Sequence, residues 1–190
     1  QKQIQLYLFL IPAVGMRLWA EERKSGTIEL LMTLPVSTTE AVLGKFVAAW
    51  FFTGIALLLT FPIWITVNYL GSPDNGVIFA GYVGSFLMAG AFLAIGSFVS
   101  ALTRNQVIAF VISTAACFLF MMSGLEPVQS AFRGWASAFV VDLVASLSFL
   151  THFDAITKGV FDLRDFIYLS SVIGVFLFAN VVVVDLKKGS

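Results

Sequence analysis

The sequence predicts an all-α polytopic membrane protein, and three observations carry the prediction. Four runs of 19 to 26 residues hold no charge at all: Phe46–Val67, Val77–Leu102, Val107–Leu125 and Phe166–Val184. Each has the length of a helix crossing a hydrocarbon core about 30 Å thick. Across all 190 residues, 59% are hydrophobic and 12% charged, against about 45–50% and 25% in soluble domains. A soluble globule of this size cannot hide that much apolar surface, and a disordered chain would not carry it. Phe, Leu, Ala, Val and Gly fill the runs without strict alternation, which disfavours a β-barrel.

A fifth apolar run comes first in the chain. Ile4–Trp19 is 16 residues with Gln5 and Arg17 inside it, short of the roughly 20 needed for a full span. It reads as the end of a span covering residues 1–19. Glu21, Glu22, Arg23 and Lys24 extend this helix into water. Ser25-Gly26 stops it, because glycine accepts the left-handed backbone of a helix C-terminus. Residues 20–43 then form a polar connection. Thr27 suits an N-cap, Glu29 falls where a helix dipole favours a carboxylate, and Pro35 ends the new helix near Leu34. Ile28, Leu30, Leu31 and Met32 make that short helix apolar on most sides, so something must cover it. Ser37-Thr-Thr-Glu40 is a capping box that launches the next helix. That helix runs to about Leu70, Lys45 snorkels towards the headgroups and Pro62 kinks the outer half.

The short links are Gly71–Gly76 and Thr103–Asn105. With five spans, Arg17, Arg23, Lys24, Lys45, Arg104, Lys187 and Lys188 fall on one side. Lys2, Arg133, Lys158 and Arg164 fall on the other. The basic excess places the first set in the cytoplasm. Residues 126–165 form a long outer connection. Within it Ser137–Thr151 is too short to cross and is interrupted by Asp142, so it reads as a re-entrant or interfacial helix. His152 and Asp154 have no serine, cysteine or metal cluster beside them and read as structural.

Composition narrows the function. Lys+Arg and Asp+Glu are 11 each, so nothing points to nucleic acid. The single cysteine, Cys117, excludes an internal disulfide and a cysteine-cluster metal site. No Asp, Glu, Lys, Arg or His lies in the centre of the four clear spans, where gradient-driven carriers need one. There is no G-x-x-x-x-G-K-[ST] phosphate loop. If the chain does work, its energy comes from another polypeptide. Small residues recur at helical spacing at Gly81, Ser85 and Ala89, again at Gly96 and Ser100, and at Ala109, Ser113 and Cys117. This spacing brings helices close, either within the chain or along a dimer seam.

The stretch Arg17-Leu-Trp-Ala-Glu-Glu-Arg-Lys-Ser-Gly-Thr-Ile-Glu-Leu-Leu-Met-Thr-Leu-Pro-Val-Ser37 resembles the signature of type 2 ABC transporter permeases. With Leu147–Tyr168, it resembles more narrowly the branch holding the gliding-motility-associated permease and the permease of nitrous-oxide-reductase maturation. The resemblance covers essentially the whole chain as a single permease domain, 1–190. It implies six spans, the five read here being the second to sixth. At Gln1–Gln5 the chain departs from the family, where apolar residues of the second span would be expected. The resemblance also implies a coupling helix in the 20–37 segment, docked on a cytoplasmic ATPase that holds ATP and Mg, with no cofactor in this chain. Glu21, Glu22, Arg23, Gly26, Thr27, Glu29, Leu34, Pro35 and Ser37 are the expected coupling residues, none of them catalytic. A second permease chain completes the path, in a bacterial cytoplasmic membrane. The alternative function is a scaffold or anchor for a cell-envelope complex, with no transport path.

Overall fold

A computed structural model describes residues 2–27, 36–123, 125, 128–130, 148–149, 153, 156 and 163–187. Among them the regular elements are all helices: α1 (Lys2–Gly15), α2 (Arg17–Ser25), α3 (Thr38–Leu58), α4 (Phe61–Leu70), α5 (Asn75–Leu102), α6 (Gln106–Met122) and α7 (Leu163–Leu186). Three stretches are long and apolar enough to cross a membrane: Thr38–Leu70, Asn75–Leu102 and Leu163–Leu186. The fourth expected span is helical over Gln106–Met122 only, and Ser123 ends it. Seventeen residues rise roughly 25 Å, slightly less than a full hydrocarbon core.

Helix α5 is the axis of the bundle. It packs against α1, α2, α3, α6 and α7, and nearly every residue from Gly84 to Ala101 is buried. Its small residues permit this. Gly96 meets Gly15 of α1, and a Cβ built on Gly15 would lie 3.1 Å from the Gly96 Cα. Gly90 receives the Trp50 indole of α3 and Ile173 of α7. Of the small-residue stripe, Ser85, Ala89, Gly96 and Ser100 are all buried within this chain, and Gly81 is half-buried with open space beside it. On α6, Ala109, Ser113 and Cys117 are buried too. Asn180 of α7 donates to Ser97 Oγ at 2.7 Å in the apolar interior, where a polar pair fixes register.

Two helix breaks have identifiable causes. Between α3 and α4 the chain turns at Leu59–Thr60, just before Pro62. Proline cannot donate to the carbonyl four residues back, so the kink expected there takes the form of a break. Thr60 Oγ1 bonds Leu57 O at 2.6 Å and lies 2.8 Å from Tyr82 Oη of α5, holding the two halves together. The second break corrects the sequence reading. One helix was expected from the first apolar run through Lys24; α1 ends at Gly15, and α2 begins afresh at Arg17.

Of the outer connection, only a few residues are described. Phe149, Phe153 and Ile156 are buried. Phe149 packs edge-on against Phe92 at 5.1 Å and also meets Phe120 and Tyr168. Phe92 is ten residues, roughly 15 Å, from the end of α5. These side chains therefore reach into the bundle instead of lying on its surface. Asp142, His152 and Asp154 lie outside the described residues.

Outward, α3, α4, α6 and α7 present large apolar side chains such as Phe52, Ile63, Leu119 and Phe178. In water that surface would be untenable; in lipid it is the solvated face.

Candidate functional site

The residues expected on one side of the membrane converge at one end of the bundle. The end of α5, the start of α3, the end of α7 and the whole of α2 meet there. The centre of the junction is Ser100. Its hydroxyl accepts from Trp19 N at 3.1 Å and Ala20 N at 2.9 Å, and donates to Met16 O at 2.8 Å. In an unbroken helix Ala20 N–H would bond Met16 O directly. The serine hydroxyl stands between them, and an inserted side chain is a recognised cause of a helix kink. Ser100 therefore satisfies the backbone groups that the α1–α2 break frees, while tying the break to α5.

Two further ties fix α2. The Arg23 guanidinium donates to Ala101 O at 2.6 Å, capping the last turn of α5, where carbonyls lack helical partners. Partial burial, and secondarily the charge of Arg104, hold the Arg23 pKa below the usual guanidinium value. Lys45 of α3 pairs with Glu22, donates to Leu18 O at 2.9 Å, and stands 4.6 Å over the Trp19 ring. Lys45 thus turns inward to clamp α2 instead of reaching for headgroups. A cation stacked on a largely desolvated ring adds about 1–2 kcal/mol.

The outer turn of α2 is built to stop. Gly26 has φ 74°, the left-handed cap conformation that costs glycine nothing. Ser25 Oγ bonds Glu21 O at 2.9 Å, and Thr27 Oγ1 lies 2.9 Å from Ser25 Oγ and donates to Glu22 O at 3.5 Å. Thr27 thus folds back on α2. Glu21 and Lys24 are exposed. Glu29, Leu34 and Pro35 lie outside the described residues.

Past that segment the chain re-enters through the capping box. Ser37 Oγ accepts from Glu40 N at 3.2 Å, and Glu40 Oε2 accepts from Ser37 N at 2.8 Å. Thr38 Oγ1 donates to Asp185 Oδ1 at 2.6 Å, linking the start of α3 to the end of α7. Residues 28–35 are therefore bracketed by two anchored ends: Ser25–Gly26 behind and Ser37–Thr38 ahead. The site's chemistry is charge and hydrogen bonding in the service of position.

A family model described as ABC-2 family transporter protein matches residues 4–185. The chain belongs to that family. Over 107 residues it is also 33% identical to the probable multidrug ABC transporter permease YbhS of Escherichia coli K12, and equally to the same protein of E. coli O157:H7. These matches cover 55% of this chain and 28% of each relative. The matched stretch therefore spans well under half the length of those relatives.

For an ABC-2 protein the junction gains meaning from its place in the chain. Expected residues Glu22, Arg23, Gly26 and Ser37 are each held by a bond or backbone conformation described above. Ser100 and Lys45 were not expected there. By sequence Ser100 counts only as a small residue, although a hydroxyl within one turn of a chain reversal in a buried helix is a signal for a polar joint. Lys45 carried no such signal.

Proposed function

We propose that this chain forms part of the membrane permease of an ATP-driven ABC exporter in a bacterial cytoplasmic membrane. Separate ATPase subunits, carrying ATP and Mg, dock on the 20–37 segment. Two permease chains enclose the path between them. The observation that carries this reading is the bracketed segment. Its ends are tied to α5 and α7 by Ser100, Arg23 and Thr38, and to each other by Lys45, the arrangement needed to pass a cytoplasmic movement into membrane helices. Membership of the ABC-2 family supports the same reading. The resemblance of Leu147–Tyr168 to the gliding-type branch adds an expectation about lineage only.

The test is co-purification of the full-length permease with its ATPase in nanodiscs, comparing wild type with Glu29→Arg and Gly26→Pro. Gly26→Pro cannot adopt a positive φ, so the exit of α2 must rearrange. Both variants are expected to lose the ATPase or its permease-dependent stimulation while remaining folded in the membrane. Unchanged stimulation in both would overturn the docking reading. Efflux from loaded vesicles then separates an exporter from an ATP-driven scaffold.

A further inference from the structure

The end of α5 carries more positive charge than helix capping requires. Arg23 reaches Ala101 O at 2.6 Å from α2. Lys187, just past α7, reaches Leu102 O at 2.8 Å and Ala101 O at 3.3 Å. Two cations from different helices thus converge on one carbonyl. A third, Arg104, is exposed in the turn that follows α5. Among the described residues, Glu22 pairs with Lys45, and Asp185 Oδ1 accepts from Thr38. Burial lowers the Lys187 pKa, and the charges of Arg23 and Arg104 lower it further, as expected of cations that crowd one another.

Exposed aliphatic side chains flank these cations along the chain, beside the polar turn Thr103–Gln106. Leu102 is 47% exposed, Val107 67% and Leu186 74%. A ring of charge bordered by exposed aliphatic side chains at the end of apolar helices matches one chemistry: a phosphate held by the cations, with acyl chains lying along the helices. An acidic protein segment would use the charge but leave Val107 and Leu186 uncovered.

We propose that Arg23, Arg104 and Lys187 form a binding site for the phosphate headgroup of an anionic phospholipid, whose acyl chains cover Leu102, Val107 and Leu186. The site joins α2, α5 and α7, so an occupied site binds the junction together independently of any ATPase.

The experiment is native mass spectrometry of the full-length protein with phosphatidylglycerol and phosphatidylcholine in competition. Wild type is expected to retain phosphatidylglycerol preferentially. Arg104→Gln should lower that preference roughly fivefold, and Arg104→Gln with Lys187→Gln should lower it further, each cation near a membrane surface contributing about that factor. Arg104→Lys should keep most of it, and Lys24→Gln, which removes an exposed charge outside the cluster, should leave it unchanged. Melting in phosphatidylcholine checks the fold of the double variant; Arg104→Gln alone, at an exposed turn, decides the matter if that variant melts early. Equal retention of the two lipids by wild type would overturn the proposal. So would undiminished selectivity in Arg104→Gln, or displacement of the lipid by millimolar inorganic phosphate, which would assign the site to a soluble anion.

Discussion

Replacing Gly15 with valine is expected to destabilise the bundle more than any other single substitution considered for this protein, by about 3 kcal/mol. The first added carbon would already lie 3.1 Å from the Gly96 Cα and 3.2 Å from its carbonyl carbon. Both are backbone atoms of the central helix and cannot rotate away. The valine methyls would add to that contact, so α1 must separate from α5 and the packing along the crossing is lost. The crossing is asymmetric, which sharpens the test. A Cβ on Gly96 would meet Gly15 Cα at 3.4 Å, an ordinary contact. Gly96→Ala should therefore cost less than Gly15→Ala. Gly44→Ala, in open space on exposed α3, should be neutral or stabilising by up to about 1 kcal/mol. Thermal or denaturant unfolding in detergent gives the ranking. Equal effects at Gly15 and Gly44 would contradict the close crossing.

Ser100→Ala is expected to have the second largest effect and the more informative one. The change frees Trp19 N–H, Ala20 N–H and Met16 C=O at once. A buried polar group left without its partner costs about 1–3 kcal/mol. The chain can recover part of this if Ala20 N–H bonds Met16 O directly. That repair straightens the α1–α2 joint and swings α2 away from Ala101. The expected net loss is about 2 kcal/mol, with faster amide exchange at Trp19 or Ala20. ATPase stimulation should fall further than stability alone explains, because the joint has been released from α5. Unchanged exchange at residues 16–20 would show that the serine does not hold the joint.

The sequence made some of this legible and hid the rest for physical reasons. Local signals held locally. The capping box at Ser37 and Glu40 is formed, Gly26 has the positive φ that a helix stop requires, and Pro62 interrupts its helix. Uncharged runs marked the membrane helices, with the boundary of α6 drawn too long by three residues at its outer end, Met122 in place of Leu125. The break at Met16 left no mark near Met16, since its cause is a hydroxyl 84 residues away. Lys45 fits either a headgroup or a clamp until the position of Glu22 and Trp19 is known. Arg23, Arg104 and Lys187 were counted as basic residues of one side, but their convergence on one helix end is tertiary. Small residues were read as close packing. The structure shows the partner of two of them, Gly15 for Gly96 and the α1–α2 joint for Ser100.

In the proposed function, residues 28–35 meet an ATPase and pass its motion through two anchored ends. A photo-crosslinker attached at Glu29→Cys tests this most directly. Cys117 is fully buried and will not compete for the reagent. In membranes holding both proteins, irradiation is expected to give one adduct of permease and ATPase. The same reagent at Gly71→Cys, exposed at the opposite end of the bundle, should give none. An ATPase adduct from position 71, or only lipid adducts from position 29, would contradict it.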